Sequence, residues 1–239
     1  MIQFYSPTLP ADPVLGEEES FHCAKVLRKR PDDIIRVTDG RGKAYECRIV
    51  KADPKRVEME VLSELPLEEK TAGRITVAVA PTKNSDRMAW LVEKCVEIGV
   101  DRIIFVQCAR SERKNVNVER LRRNAISAMN QSLKTRLPEV EGVVKLKDIM
   151  GLAGEKVFGY CSPEVERRDF VEVLKPDDDI TLLIGPEGDF TPEEVTTLTK
   201  EGYVPVTFGD ERLRTETAAI YAVSAVHILR KQKKINNSR

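Results

Sequence analysis

The chain of 239 residues is long enough for one large domain or two modest ones. No apolar run approaches the ~20 residues of a membrane span, and the opening MIQFYSPTLPADP lacks the basic stretch and apolar core of a secretory leader, so a soluble, cytoplasmic protein is expected. Lys and Arg number 39, as do Asp and Glu, which excludes a uniform nucleic-acid-coating surface but not a local basic face.

Residues 1–65 read as β-rich. SFHCAKVLRKR (20–30) predicts a helix with Phe21, Ala24 and Leu27 on one face. IIRVTDG, KAYECRIVKAD and RVEMEVLSEL then alternate as half-buried strands do, with turns at Asp39-Gly40 and Asp53-Pro54. Several short strands with turn signals predict a small barrel. LPLEEKTAG (65–73) is the linker candidate, and the pattern changes after it. RITVAVA is a continuous strand, followed by a helix through DRMAWLVEKCVEIGV, where Met88, Leu91, Val92, Cys95 and Val96 recur at helical spacing and Gly99 closes the run. RIIFVQ, VERLRRNAISAMNQSL, VFGYC, a short helical segment near 166–174, ITLLIG, a helix from Pro192, VPVTF and a long helix from about Thr215 continue the alternation. This is the signature of an α/β domain with a mostly parallel sheet covered on both faces. The expected division is a β-barrel module over 1–68 and an α/β domain over 74–239.

Cys23, Cys47, Cys95, Cys108 and Cys161 form no CxxC pair, and the only histidines are His22 and His227. Buried thiols are expected, and no metal centre. Basic clusters occur at Lys25, Arg28, Lys29 and Arg30; at Arg41 and Lys43; at Arg110, Arg113 and Lys114; at Arg120, Arg122 and Arg123; and in the KQKK run near the end. Each alone is more often a solvated face than a binding site.

Two corners late in the chain carry the chemistry: LIGPEGDFTPEE (182–193) with Glu194, and FGDERLRTETAAI (208–220). Each follows a strand and opens a helix, where an open α/β sheet places a ligand. Thr191, Pro192 and Glu194 are adequately read as a helix start with a capping box. Capping leaves Gly185-Pro186-Glu187-Gly188 unexplained, although a tight turn alone would account for two glycines around a proline. The loop has neither the Lys-Ser/Thr ending of a P-loop nor GxGxxG spacing, and Glu187 suits a cationic or zwitterionic ligand. In the second corner Thr215 or Thr217 is a candidate N-cap and Glu216 favours the helix dipole. Arg214 is unfavourable at a helix N-terminus without an anionic partner. Glu216 or Glu187 would make it structural; a nucleic-acid phosphate would make it functional.

LIGPEGDFTPEE together with ERLRTETAA closely resembles the RsmE family of 16S ribosomal RNA uridine-N3 methyltransferases of the SPOUT superfamily. FHCAKVLRKRPDD and DGRGKAYECRI resemble the family's PUA-like RNA-binding module; APTKNSDRMAWLVEKCVEIGV, CARSERK, NQSLKTRLPEV and YCSPEV follow in order. The chain departs at Asp189, where glycine is usual, and at Phe208, where leucine is usual. The resemblance implies a SPOUT domain with a trefoil knot and S-adenosylmethionine held by three loops. These are Tyr160-Cys161-Ser162-Pro163; Ile184-Gly185-Pro186-Glu187-Gly188; and Phe208-Gly209 through Leu213, with Thr217 beside them. It also implies a homodimer with its cleft at the interface and no metal. Arg214, Glu216 and Glu187 are then the catalytic candidates, and Arg28, Arg30, Arg41, Lys43, Arg113, Gln131 and Arg214 the RNA contacts. A non-catalytic RNA-binding assembly factor, or a methyltransferase acting on another base or a ribose, is the alternative.

Overall fold

The computed structural model describes residues 2–66, 72–162, 165–175 and 177–237. Contacts divide the chain into two compact units, residues 1–70 with 126–137 and residues 71–125 with 138–239. Most of the predicted linker lies outside the described residues.

The first unit holds β1 (Gln3–Tyr5), α1 (Glu17–Phe21), β2 (Ile34–Thr38), β3 (Ala44–Asp53) and β4 (Arg56–Glu64). The sheet order is β1-β2-β3-β4, with β1 parallel to β2 and the remaining pairs antiparallel. Residues 13–15 line the far side of β4: Leu15 N–H donates to the Val57 carbonyl at 3.0 Å, and Met59 N–H to that of Pro13 at 2.9 Å. Ser6 Oγ, just past β1, donates to the Val14 carbonyl at 2.6 Å, so the sheet curls back on itself as a barrel does. Phe4, Leu15, Cys23, Val37, Cys47, Ile49 and Val57 fill its centre. The turn between β2 and β3 depends on Gly40 and Gly42, whose φ values of 72° and 113° disfavour other residues. Leu137 N–H donates to Gly40 and Gly42 N–H to Thr135, which ties 135–137 to this turn.

The predicted helix over 20–30 is corrected. It starts at Glu17, becomes a π-helical turn over His22–Val26 and ends at Arg28, where φ is 55°. The wider turn shifts the inward face, so Cys23 is buried and Phe21 lies exposed. Strand β1 escapes prediction because three residues are too short to show alternation.

The second unit is built on β5 (Ile75–Val79), β6 (Arg102–Gln107), β7 (Glu139–Lys145), β8 (Glu155–Gly159), β9 (Arg168–Asp169), β10 (Ile180–Ile184) and β11 (Val204–Thr207). Their order is β7-β6-β5-β10-β8-β11-β9, and every pairing is parallel. Between them in the chain come α2 (Ser85–Ile98), α3 (Val118–Gln131, whose residues from 126 count with the first unit), α4 (Phe170–Val173) and α5 (Pro192–Lys200), and α6 (Thr215–Asn237) follows β11. Central β10 is buried at all five positions, as a strand covered on both faces must be. Asn84 caps α2 by accepting from Asp86 N–H at 2.8 Å, and Gly99 at φ 128° ends it. Strand β7, half-buried along most of its length, was not predicted because glutamates and glycine break its apolar run. Cys23, Cys47, Cys95 and Cys108 are buried thiols and Cys161 is exposed. Among the described residues no helix is long and apolar enough to cross a membrane.

Candidate functional site

Strands β8, β10 and β11 are neighbours in one parallel sheet or one strand apart, so their C-terminal ends, and the loops that leave them, lie on the same edge. Four contacts join these loops and the strand ends they leave. Tyr160 N–H donates to the Val206 carbonyl at 3.1 Å. Cys161 N–H donates to Asp189 Oδ2 at 3.0 Å. Thr215 Oγ1 donates to the Gly185 carbonyl at 3.2 Å. The Phe208 ring covers Gly159, where a Cβ would fall 2.7 Å from it.

After β8, Tyr160 is buried and Cys161 exposed, and Arg167 Nη1 holds both their carbonyls at 3.1 and 3.2 Å. Burial, and after it the Asp189 charge, push the Cys161 thiol above its ordinary value. Ser162 follows; Pro163 lies outside the described residues.

After β10, Ile184 is buried and its carbonyl accepts from Ala80 N–H at 2.9 Å. Gly185 is required by crowding, since a Cβ would lie 2.8 Å from the Phe190 ring. Pro186 is buried, and its carbonyl accepts from Asp189 N–H at 2.9 Å to close the turn. Asp189 has φ 61°, the left-handed region that aspartate enters more readily than most residues. That dihedral explains why a glycine suits this position, and the aspartate adds a carboxylate that fastens the neighbouring loop. Arg110 Nη1 donates to the Gly188 carbonyl at 2.8 Å. Glu187 is exposed; its charge reaches Lys83, which pairs with Glu112 at 2.8 Å.

After β11, Phe208 makes edge contacts with Phe170 (5.2 Å between centroids) and Tyr221 (5.9 Å). Gly209 has φ 108°, and a Cβ there would meet nothing within 4 Å. Leu213 is half-buried, and Arg214 and Thr217 are exposed. Thr215 donates its hydroxyl to the first corner, so it serves as a strut between corners.

Glu216 is 5% exposed. Its ion-pair partner is Arg87 of α2, with Nε 3.6 Å from Oε1, rather than Arg214. Its Oε2 is buried without a hydrogen-bond partner among the described residues. Arg214 makes no ion pair with Glu216 or Glu187 there. Sequence reasoning missed Arg87, although the argument that singled out Arg214 applies to it: a cation in the first turn of a helix needs a nearby anion.

The RNA candidates separate. Arg28 and Arg30 are exposed. The Arg41 guanidinium is engaged by the carbonyls of Pro7 (2.6 Å) and Leu9 (2.8 Å) and by Asp39 (3.3 Å). Lys43 pairs with Glu64 at 3.0 Å. Gln131 is exposed at the end of α3. Arg113 lines a cavity of about 270 Å³ with Asn115, Asn117 and Arg120, and Arg120 pairs with Asp86 at 2.7 Å. Among the described residues no group of three His, Cys, Asp or Glu is placed to hold a metal.

Comparison with known proteins adds to this geometry. Residues 68–227 match the RNA methyltransferase domain family, and residues 15–62 the RNA methyltransferase PUA domain. The ribosomal RNA small subunit methyltransferase E of Mycobacterium tuberculosis is 31% identical over 95% of this chain and 91% of its own. The crystal structure of a probable rRNA-methyltransferase from Porphyromonas gingivalis superimposes with a TM-score of 0.91 at 37% identity, covering 98% of this chain and 100% of that one. A ribosomal RNA small subunit methyltransferase E from Neisseria gonorrhoeae, bound to S-adenosyl methionine, gives a TM-score of 0.84 at 27% identity, over 96% and 98% of the two chains.

Proposed function

The chain belongs to the family of ribosomal RNA small subunit methyltransferases E, and from that premise we propose that it transfers a methyl group from S-adenosylmethionine to N3 of a uridine in 16S ribosomal RNA. The observation that carries this reading is the meeting of the loops after β8, β10 and β11 at one sheet edge, joined by Asp189, Phe208 and Thr215.

The loops suit the methyl donor. Exposed Glu187 gives the site carboxylate character, which favours a cationic ligand, and Gly209 leaves open space beside its backbone. Main-chain groups of the loops over Gly185–Gly188 and Gly209–Leu213 would hold it, with Tyr160–Ser162 as the third wall. When bound, S-adenosylmethionine supplies an electrophilic methyl group on a sulfonium centre.

The residues then have to position the base and manage a proton. N3 lies on the Watson–Crick edge, so the uridine enters unpaired or flipped. Exposed Arg214 faces the RNA, holding a phosphate or the charge that develops on the uracil. Glu216 or Glu187 orients the base or takes the N3 proton.

We assign residues 1–68 to RNA binding and 74–239 to methyl transfer. In the first module Arg28 and Arg30 are the leading phosphate contacts, because Arg41 and Lys43 are occupied by their own unit. The protein acts as a cytoplasmic homodimer. Supporting this, Trp90 on α2 and Tyr221, Ile228 and Ile235 on α6 are exposed, the last three at seven-residue spacing along one helix.

Calorimetry with S-adenosylmethionine, followed by transfer of a labelled methyl group to isolated small subunits, tests the reading. Saturable binding and label in 16S RNA are expected. Absence of binding would point instead to a non-catalytic RNA-binding protein.

A further inference from the structure

We propose that Glu216 receives the N3 proton of the uridine through its buried Oε2, and that Arg87 is the residue that positions it. The proposal rests on the uridine-N3 reading above. The ionisable side chains of the two corners differ sharply in surroundings. Glu187 is exposed, as is Arg214, while Glu216 is 5% exposed.

A buried carboxylate oxygen normally has a donor, because leaving one without it costs the full desolvation of that atom. Oε1 of Glu216 faces Arg87 Nε at 3.6 Å, an ion pair too long for a good hydrogen bond. Oε2 has no donor at all among the described residues. The neighbouring Thr215 cannot turn to it without giving up the Gly185 carbonyl. Arg87 and the N-terminus of α6 make the surroundings of Oε1 positive, which suits an anionic acceptor. The carboxylate is therefore held by a cation at one oxygen and buried without a donor at the other, at the helix start that Thr215 ties to the corner ending β10.

The N3–H of uracil, an acidic imide between two carbonyls, is a donor of the kind Oε2 lacks. In the transfer, N3 keeps the electron pair of its N–H bond and uses it for the new bond to the methyl carbon. Oε2 takes the proton, and the pair of the broken carbon–sulfur bond stays on sulfur. Solvent recovers the proton from Glu216 after product leaves.

The test compares wild type, Glu216→Gln, Arg87→Ala and Arg87→Lys in single-turnover methylation of small-subunit RNA carrying uridine or 5-fluorouridine at the target. Affinities for S-adenosylmethionine and RNA are measured alongside. Fluorine makes N3–H more acidic and reduces the need for a base. Glu216→Gln is expected to slow transfer to uridine by about 100-fold or more, to recover at least tenfold of that on 5-fluorouridine, and to bind both ligands within twofold of wild type. Arg87→Ala should show a smaller loss with the same recovery, and Arg87→Lys should restore most of the rate. An unchanged rate for Glu216→Gln, an equal loss on both RNAs, or a tenfold loss of S-adenosylmethionine affinity would each overturn the proposal. Wild type that leaves N3 of uridine unmethylated would instead overturn the reading beneath it.

Discussion

The starts of α5 and α6 use the same residue types to opposite ends. At α5, Thr191 Oγ1 accepts from Glu194 N–H at 3.2 Å, and Glu194 Oε2 accepts from Thr191 N–H at 2.9 Å. The other Glu194 oxygen accepts from Ala109 N–H at 2.7 Å, so nothing is left over. At α6, Thr215 donates away from its own helix, Glu216 pairs with a cation at 3.6 Å, and its other oxygen is buried with no hydrogen-bond partner among the described residues. A saturated polar cluster spends its hydrogen bonds on folding. An unsaturated buried one keeps capacity for a ligand, at a cost in stability.

The largest effect that would sharpen this contrast is expected from Arg214→Ala beside the open cluster. Methylation should fall by about 100-fold or more, while calorimetry finds S-adenosylmethionine affinity within twofold of wild type. Normal turnover would make the second corner as structural as the first.

Glu19 provides a third case, a half-buried carboxylate whose oxygens both accept hydrogen bonds. It accepts from Tyr5 N–H at 3.0 Å and from the Asn130 amide at 3.1 Å, yet burial outweighs these bonds and pushes its carboxyl up to about 7. The folded state then holds this proton more tightly than the unfolded chain does. Its contribution to stability is complete below the ordinary value of 4.5 and is lost as pH rises through about 7. Relative to Glu19→Gln, wild type should lose roughly 2 to 3 kcal/mol across that window, read from denaturant midpoints at several pH values. A pH-independent difference between the two would show that burial does not dominate there.

Gly185→Ala places a Cβ 2.8 Å from the Phe190 ring and should destabilise the second unit by about 1 to 3 kcal/mol in urea unfolding. Thr191→Ala, in the closed cluster, should cost about 1 kcal/mol in the same measurement and leave methylation unchanged. A loss of activity without loss of stability in Thr191→Ala would break the distinction between the two helix starts.

Much of this was legible in the sequence. The capping box at Thr191–Glu194, the closing glycine at Gly99, and the continuous apolar strands β5, β6 and β10 are local signals, and they predicted the elements that form. The three loops were found by family resemblance, since glycine-bearing corners alone do not say that they meet. Strands β1 and β7 were not seen, one too short and the other interrupted by polar residues. The π-helical turn at His22–Val26 obeys a longer period than the one used to read it. Long-range pairs were the least visible. Arg87 lies 129 positions before Glu216, and Asp189 reaches back to the amide of Cys161. Sequence spacing carries no signal for pairs this far apart, which only the fold brings together. The partners of Arg41 were equally invisible: its guanidinium donates to the backbone carbonyls of Pro7 and Leu9, more than thirty positions away.

The central claim is that these loops put a methyl group on N3 of a uridine in 16S ribosomal RNA. Its most direct test is mass spectrometry of nucleosides from small-subunit RNA incubated with the protein and isotopically labelled S-adenosylmethionine. Labelled 3-methyluridine, mapped to a single site in 16S RNA, is expected. Label on a ribose hydroxyl or on another base, or no label at all, would contradict it.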